Sequence, residues 1–411
     1  MSESDLPQPA GMTARADILS GETVLSVQTV LPVQAPYHGG DLQRAIAQYG
    51  GDADEWLDLS TGISPFSWPV RQALASMPAA CWQALPDSQL MDDARAVFSH
   101  YYSRQFKSTQ FNSAQVSQTA GADHPDVSAV DPGQLVLASG SQALIQQLPG
   151  FYARQVFKRP LTSLTVWCLA GSYGEHSYQW RQQGAQVVEK TWSEWQRDYA
   201  RLQQGERLDL PDVCILVNPD NPSARLWQSE QLQCWQQALE QQHGWLIIDA
   251  AFADIHHQPL LPLSDNTLVL ASVGKFFGLA GLRVGGAIST SAIAAQLQQQ
   301  LGPWPVAGPS LWLATQALAD SQWQQHNRQQ LARLRQQVLS QCPGLPVLGY
   351  TDLFITLEHD QVEHFQRYLA QHKIWSRCFV QQKRLRIGMP NTRDVAALIT
   401  ALQAMIVTME L

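Results

Sequence analysis

The stretch from Val269 to Gly285 carries the residues most able to do chemistry. It begins as an apolar strand and ends in a glycine-rich apolar segment, yet it contains Ser272, Lys275 and Arg283. Lys and Arg side chains are rarely buried without a partner, so packing alone does not account for these charges. A desolvated lysine amine can form a Schiff base with a carbonyl compound, and an arginine offers a planar fork suited to phosphate.

Lysine is scarce in this chain, which makes the position of Lys275 informative. The 411 residues include six lysines, and only Lys275 lies in an apolar, glycine-rich setting. The alternative is a glycine-rich turn with an incidental lysine, because such motifs carry little weight singly. Taken alone, this stretch leaves both interpretations open.

Two further segments place polar residues directly after apolar strands. Gly140, Ser141 and Gln142 follow one strand and open a helical segment, where free N–H groups favour an anion such as phosphate. Asp249 ends the apolar run Trp245–Ile248, where a carboxylate can be held in a partly desolvated site. The alternatives are a serine N-cap without a ligand and an aspartate that only caps a helix.

Aromatic and amide side chains follow two more strands. Tyr173 and His176 come after the strand 164–169, where they could stack on and brace a planar ligand. Asn221 lies in an Asn-Pro turn after the strand 213–217. The alternatives are ordinary residues at the rim of the core and a simple β-turn.

These residues need a scaffold that brings the ends of separate strands together. Short apolar strands alternate with helical segments, and the strands are predicted at 134–138, 164–169, 213–217, 245–248 and 268–271. Such alternation predicts an α/β fold with a mainly parallel sheet covered on both faces. Ligand sites in these sheets lie at the carboxyl ends of the strands, where all the residues above are found.

The chain is expected to divide into four parts. These are an N-terminal arm at 1–35, a segment at 36–80 that contributes to the small domain and the active site, a large domain at 81–308 and an α+β small domain at 309–411. A long helix at 311–342 is expected to join the two domains. The Ser/Gln/Ala-rich segment 108–132 predicts an exposed loop or insertion.

Composition excludes several classes of function. The net charge of −8 without a basic cluster argues against nucleic-acid binding. No apolar run approaches the roughly 18 residues of a membrane helix, and the first thirty residues lack the pattern of a secretory signal. Six scattered cysteines without a C-x-x-C pair fit reduced thiols in a cytoplasmic protein, with no metal site.

The order of these features resembles that of the fold type I pyridoxal-phosphate enzymes, in the aspartate-aminotransferase-like group. The motif Ser272-x-x-Lys275-x-Phe-x-Leu-x-Gly-Leu-Arg283-x-Gly is highly specific, and the resemblance runs from about His38 to the C-terminus. It implies pyridoxal 5'-phosphate (PLP) as the cofactor. It also implies a homodimer with sites near the interface.

The resemblance implies a role for each candidate residue. Lys275 would hold PLP as a Schiff base, Asp249 would pair with the pyridinium nitrogen, and Tyr173 would stack on the ring; these three are the predicted catalytic residues. His176 would lie behind the ring near Asp249, and Asn221 would donate to the phenolic oxygen. The cofactor phosphate would be held by Gly140, Ser141, Gln142, Ser272 and Arg283.

Three positions depart from the family pattern. The usual Asn-Pro-Thr-Gly turn reads Asn221-Pro-Ser-Ala, so its geometry is in question. Phe252 stands where many relatives have a tyrosine that also bonds the phenolic oxygen. Leu85 stands where many relatives have a tyrosine that reaches the neighbouring subunit's phosphate.

Two subgroups compete, and both handle phosphorylated amines. The segment His38-Gly-Gly-Asp-Leu resembles the threonine-phosphate decarboxylases of cobalamin biosynthesis more than the histidinol-phosphate aminotransferases. The resemblance implies decarboxylation of L-threonine O-3-phosphate to (R)-1-aminopropan-2-yl phosphate. Aminotransfer and a non-catalytic PLP-fold partner protein remain the alternatives.

The substrate site is expected at the two ends of the chain. Arg386 would bind the α-carboxylate, while His38 and Arg377 are candidates for the substrate phosphate. Gly39 and Gly62 belong to the same predicted site, although Gly62 replaces an asparagine of a close relative. For His38 the alternative is an exposed loop histidine.

Overall fold

The computed structural model describes residues 35–36, 38–107, 130–255 and 264–410. The predicted arm, except for its last residue, and most of the predicted 108–132 insertion lie outside the described residues. Residues 34–411 group into one compact unit. The expected domain boundary at 308 therefore stays a prediction.

The described residues form thirteen strands and thirteen helices. The strands are β1 Leu57–Asp58, β2 Leu135–Ala138, β3 Thr165–Leu169, β4 Gln186–Lys190, β5 Val213–Val217, β6 Trp245–Asp249, β7 Thr267–Ser272, β8 Gly285–Ile288, β9 Val347–Tyr350, β10 Phe354–Glu358, β11 Ile374–Trp375, β12 Arg377–Phe379 and β13 Arg384–Gly388. The helices are α1 Leu42–Tyr49, α2 Val70–Leu74, α3 Ala80–Gln83, α4 Ser88–Lys107, α5 Ser141–Phe151, α6 Gly174–Gln182, α7 Trp192–Gln203, α8 Ser229–Glu240, α9 Ser291–Leu301, α10 Gly308–Ala319, α11 Ser321–Gln341, α12 Val362–Gln371 and α13 Val395–Thr408.

A seven-stranded sheet in the order β2-β8-β7-β6-β5-β3-β4 forms the larger layer, and only β8 runs antiparallel to its neighbours. Alternate residues of its strands enter different cores. Leu216 and Ile248 pack in one apolar cluster, while Ile215 and Ile247 pack in the other. Both faces are therefore covered, which is why the central strands read as continuous apolar runs.

Strand β8, which begins at the end of the glycine-rich segment, was not predicted from the sequence. Its glycines let three backbones approach closely, since a Cβ on Gly285 would lie 2.6 Å from the Ser141 nitrogen and 2.7 Å from the Ala271 oxygen. The strand joins β2 to β7 and so fixes the Ser141 turn beside the lysine loop. The sequence did not indicate β4 or β9 either, because both lie at sheet edges and are partly exposed.

The expectation of one helix over 311–342 is wrong. The structure has α10 and α11, separated at Asp320, whose carboxylate accepts the Trp323 backbone N–H at 3.0 Å and the Trp68 indole N–H at 3.1 Å. Aspartate favours the N-cap position because its side chain satisfies free N–H groups at a helix start. The apolar periodicity continues through the break, so it hid the boundary.

The second region is built on an antiparallel sheet in the order β12-β13-β10-β9. Beside it, β1 pairs in parallel with β11, which aligns Leu57 with Ile374. The N-terminal segment thereby lies against the C-terminal region. This pairing brings residues from both ends of the chain to one place.

Candidate active site

A cavity at the carboxyl ends of the central strands is lined by nine of the ten residues predicted to bind the cofactor. They are Gly140, Ser141, Gln142, Tyr173, Asn221, Asp249, Ser272, Lys275 and Arg283. The tenth, His176, lies behind Asp249 rather than in the wall. Parallel strands direct their carboxyl ends to one edge of the sheet, so residues distant in sequence converge there.

Lys275 lies in the loop that leaves β7, and its amine is almost removed from water. Burial lowers the pKa of this amine to about 8, with the positive charge of Arg386 as the next cause and Asp249 opposing the shift. Its backbone carbonyl accepts the Ser64 N–H at 2.9 Å, which fixes the loop. Such an amine is partly neutral near physiological pH and can act as a nucleophile.

Asp249 and His176 form a buried pair at the end of β6. The Nε2 atom of His176 lies 2.9 Å from Oδ2 of Asp249, and Oδ1 accepts the Ala251 backbone N–H at 3.0 Å. A buried carboxylate needs such partners because desolvation of its charge is costly. The pair offers a fixed negative charge to the cavity, which fits a protonated ring nitrogen.

An anion site lies where α5 begins. Gly140 precedes the helix with φ +78°, a left-handed conformation that favours glycine, and the N-terminus of α5 directs free N–H groups outward. The Arg283 guanidinium approaches so closely that a Cβ on Gly140 would lie 2.9 Å from its Nη2. The site fits a phosphate group in charge and in hydrogen-bond donors.

Tyr173 and Asn221 occupy neighbouring strand ends. The Tyr173 hydroxyl donates to Oε1 of Gln142 at 3.2 Å, and burial raises the pKa of this phenol well above its usual range. The Asn221 Oδ1 accepts a hydrogen bond from Nη1 of Arg386. The amide nitrogen of Asn221 is therefore its remaining donor, as a contact with a phenolic oxygen requires.

Gly62 packs closely against the Phe252 ring. The Phe252 ring lines the cavity, with the Lys275 amine 5.5 Å from its centroid and the Phe354 ring edge-on at 5.3 Å. A Cβ on Gly62 would lie 2.8 Å from the Phe252 ring, so no side chain fits there without displacement. Glycine at position 62 therefore leaves room for the Phe252 ring that lines the cavity.

Arg386 and Arg377, which were predicted to bind the substrate, are both buried. Burial, followed by the charge of Arg377, lowers the pKa of Arg386 to about 10. Arg386 donates to two neutral oxygens, Oδ1 of Asn221 and the Ser60 carbonyl, the latter at 2.7 Å, and its Nε has no partner among the described residues. Two neighbouring buried cations favour an anionic ligand.

His38 does not line the central cavity. Its Nε2 lies 2.9 Å from Oε1 of Glu175, and its ring lines an adjoining cleft shared with Gln142, Tyr173 and Arg283. The two glycines that follow His38 let the loop lie close to Ser60. A Cβ on Gly39 would overlap the Ser60 carbonyl that Arg386 contacts, and the Gly40 N–H donates to Oγ of Ser60 at 2.8 Å.

Sequence reasoning missed three buried polar residues around the site. Ser60 connects the His-Gly-Gly segment to Arg386, and Glu175 contacts His38. Asp220 accepts hydrogen bonds from the hydroxyls of Ser172 and Ser223, so it joins the Tyr173 loop to the Asn221 turn. Glu175 and Asp220 directly neighbour predicted site residues, which was the available signal.

Comparisons with known proteins agree with this geometry. A family model described as "Aminotransferase class I and II" matches residues 55–402. A threonine-phosphate decarboxylase from Pseudomonas aeruginosa is 34% identical over 86% of this chain and 92% of that protein. A histidinol-phosphate aminotransferase from Ruminiclostridium cellulolyticum is 26% identical, over 42% of this chain and 49% of that protein.

A solved structure of a histidinol-phosphate aminotransferase from Sinorhizobium meliloti, in complex with pyridoxal-5'-phosphate, superposes with a TM-score of 0.70. It is 18% identical, and the superposition covers 93% of this chain and 98% of that one. The predicted α/β fold of the aminotransferase-like group is confirmed. Among the described residues, no helix is long and apolar enough to span a membrane.

Proposed function

We propose that this chain, which belongs to the aminotransferase class I and II family, is a decarboxylase. The proposed reaction converts L-threonine O-3-phosphate to (R)-1-aminopropan-2-yl phosphate and carbon dioxide, with PLP as cofactor. The role in cobalamin biosynthesis is part of the same proposal. The observation that carries it is the similarity to a threonine-phosphate decarboxylase along nearly the whole of that protein.

The chemistry of the cavity supports PLP as the cofactor. Lys275 supplies a desolvated amine, Asp249 a buried carboxylate, and Arg283 with the start of α5 an anion site. When bound, PLP supplies an electron sink for the pair released as the Cα–carboxylate bond breaks. The similar aminotransferase solved with PLP supports the same cofactor.

Separate residues of this chain are proposed to hold the cofactor ring, bind the substrate carboxylate and return the proton. Asp249, held by His176, keeps a negative charge beside the cofactor ring. Arg386, anchored on the Ser60 carbonyl and Asn221, binds and orients the substrate carboxylate. The Lys275 amine is the group proposed to return a proton to Cα, since its lowered pKa of about 8 suits proton transfer near neutral pH.

The substrate itself supports the assignment of the arginines. Threonine phosphate carries a carboxylate and a phosphate, and the buried pair Arg386 and Arg377 lies on the proposed substrate side. Guanidinium groups form strong, charge-assisted hydrogen bonds with carboxylates and phosphates. His38 is proposed as a further phosphate contact from the adjoining cleft.

The deciding experiment is incubation of the PLP-loaded protein with threonine phosphate and no keto acid. Release of carbon dioxide together with aminopropanol phosphate would support the proposal. Transfer of an amino group from histidinol phosphate to 2-oxoglutarate, without carbon dioxide release from threonine phosphate, would replace it with an aminotransferase function.

The proposal includes a cytoplasmic homodimer and the four-part division of the chain at 35, 80 and 308. Exposed apolar side chains support the dimer, because Trp82 is 67%, Leu85 63% and Trp304 54% exposed. Trp304 lines a cleft with Pro86, which follows Leu85. Light scattering should give twice the chain mass; a single chain mass would contradict the dimer.

A further inference from the structure

Glu175 has a buried carboxylate that the roles described above do not require. The residue is 5% exposed and lies in the first turn of α6. Its two oxygens receive hydrogen bonds from three separate side chains. These are His38 at 2.9 Å, Gln142 at 2.5 Å and Gln179 at 3.1 Å.

A structural explanation accounts for only part of this arrangement. A carboxylate in the first turn of a helix is stabilised by the helix dipole. That effect acts at an exposed position as well and does not need burial. Gln179, on the same helix, supplies one local donor, but His38 and Gln142 come from distant segments of the chain.

The contact with Gln142 fixes the orientation of that amide. Its Nε2 donates to Glu175, so its Oε1 is left to accept the Tyr173 hydroxyl at 3.2 Å. Gln142 and Tyr173 both line the central cavity. Glu175 is therefore one hydrogen bond from the cavity wall at Gln142 and two from Tyr173.

The contact with His38 fixes one ring nitrogen. With Nε2 directed at Glu175, Nδ1 is the nitrogen of His38 that remains for a ligand in the adjoining cleft. It donates to a phosphate oxygen only when both ring nitrogens carry a proton. The ring is also held 6.1 Å from the Tyr173 ring, and the Gly40 N–H anchors the loop on Ser60. The loop is thus attached at one backbone point and one side-chain point.

We infer that Glu175 is a positioning residue that orients His38 for the phosphate of the substrate and links it to Gln142 and Tyr173. The inference rests on the proposed function, because it takes a phosphorylated amino acid as the ligand. Its distinctive consequence is coupling: without His38, the carboxylate should have no further effect on substrate affinity.

The test compares PLP-loaded wild type with Glu175→Gln, His38→Ala and the double variant. Steady-state kinetics gives KM and kcat for threonine phosphate. Calorimetry gives the affinity for threonine phosphate where no turnover occurs, and otherwise for the product aminopropanol phosphate, which carries the same phosphate and is not turned over. Loss of one charged hydrogen bond predicts about tenfold weaker binding in Glu175→Gln, with kcat little changed. The double variant should bind no more weakly than His38→Ala alone.

Glu189→Gln is the matched control. Glu189 pairs at 2.7 Å with Arg181, which lies on α6 as Glu175 does, so this variant removes a different carboxylate that contacts the helix. We expect wild-type affinity from it. Binding of L-threonine, which lacks the phosphate, should be equally weak in wild type and Glu175→Gln. An unchanged cofactor absorbance spectrum and melting temperature in Glu175→Gln would exclude a general structural defect.

The outcomes separate the inference from the proposed function. Additive losses in the double variant, or an equal loss of L-threonine affinity, would overturn the positioning role. If threonine phosphate binds with the expected coupling but no carbon dioxide is released, the proposed reaction fails and the positioning role stands. If wild type does not bind threonine phosphate, both fail.

Discussion

The proposed cofactor side and the proposed substrate side of the site are assembled in different ways. On the proposed cofactor side, Asp249 is the last residue of β6, and Lys275 lies in the loop that leaves β7 at Ser272. On the substrate side, Arg386 contacts Ser60, 326 positions away, and the pairing of β1 with β11 aligns the two segments. On this proposal, the cofactor residues are encoded locally, whereas the substrate residues depend on long-range pairing.

Replacement of Lys275 by alanine should have the largest effect and should be confined to the cofactor side. Removal of a nucleophile typically costs at least about a thousandfold in rate. We expect loss of decarboxylation and of the visible absorbance band of the lysine-bound cofactor, measured by spectrophotometry and product assay. Lys158→Ala, at an exposed lysine, is the control and should keep both.

A wild-type protein that never acquires this band would contradict the enzyme function and favour the non-catalytic alternative. A band that survives in Lys275→Ala would instead show that another amine holds the cofactor. Either result would contradict the proposal that Lys275 holds the cofactor.

Arg386→Lys tests whether a change on the proposed substrate side also affects the cofactor. Lysine keeps the charge but loses the planar fork that bonds Asn221 and the Ser60 carbonyl together. We expect KM for threonine phosphate to rise about thirtyfold, as the loss of a charge-assisted pair predicts. Arg393→Lys, at an exposed position, should leave KM unchanged.

The cofactor spectrum of Arg386→Lys sharpens the comparison. Because Arg386 holds Oδ1 of Asn221, its loss should also alter the environment of the cofactor's phenolic oxygen. A higher KM with an altered absorbance maximum would join the two sides through this contact. An unchanged KM would refute the role of Arg386 in carboxylate binding.

The pH dependence of cofactor capture should show a smaller effect. Burial lowers the pKa of Lys275 to about 8, so its neutral, reactive form increases as the pH rises through this value. The capture rate of the apoprotein should rise about tenfold from pH 7 to pH 9 and then level off. Dividing by the rate for acetyl-lysine methylamide, after that rate is corrected for protonation of its own amine, cancels the titration of PLP itself.

Arg386→Met links this measurement to the substrate side. The positive charge of Arg386 is the second cause of the lowered pKa of Lys275, so its removal should shift the midpoint to higher pH. An unchanged midpoint would mean that burial alone sets the pKa. A midpoint near the ordinary lysine value in wild type would contradict the desolvated amine.

The predictable part of the site follows from its local encoding. Ser272, Lys275 and Arg283 share one loop, and Asp249 directly ends an apolar strand, so strand periodicity and spacing were enough to find them. The central parallel strands were predicted because burial on both faces makes each a continuous apolar run. These signals require no knowledge of distant contacts.

The missed features depend on contacts that no local pattern encodes. Glu175 reads as an acidic residue in the first helical turn until His38 and Gln142 are placed beside it. Asp320 looks like one polar residue in a long amphipathic pattern until its caps on Trp323 and Trp68 are seen. Their importance arises from long-range packing.

Helix α11 has a consequence for how the molecule holds together. Near its beginning, Asn327 donates to the Phe276 carbonyl beside the lysine loop at 2.9 Å, and near its end Leu334 and Val338 pack in the core of the antiparallel sheet. One 21-residue helix thus contacts both the region of the lysine loop and the core of the antiparallel sheet. Unfolding of either region would remove packing partners of α11 in the other, so we expect the two regions to unfold together.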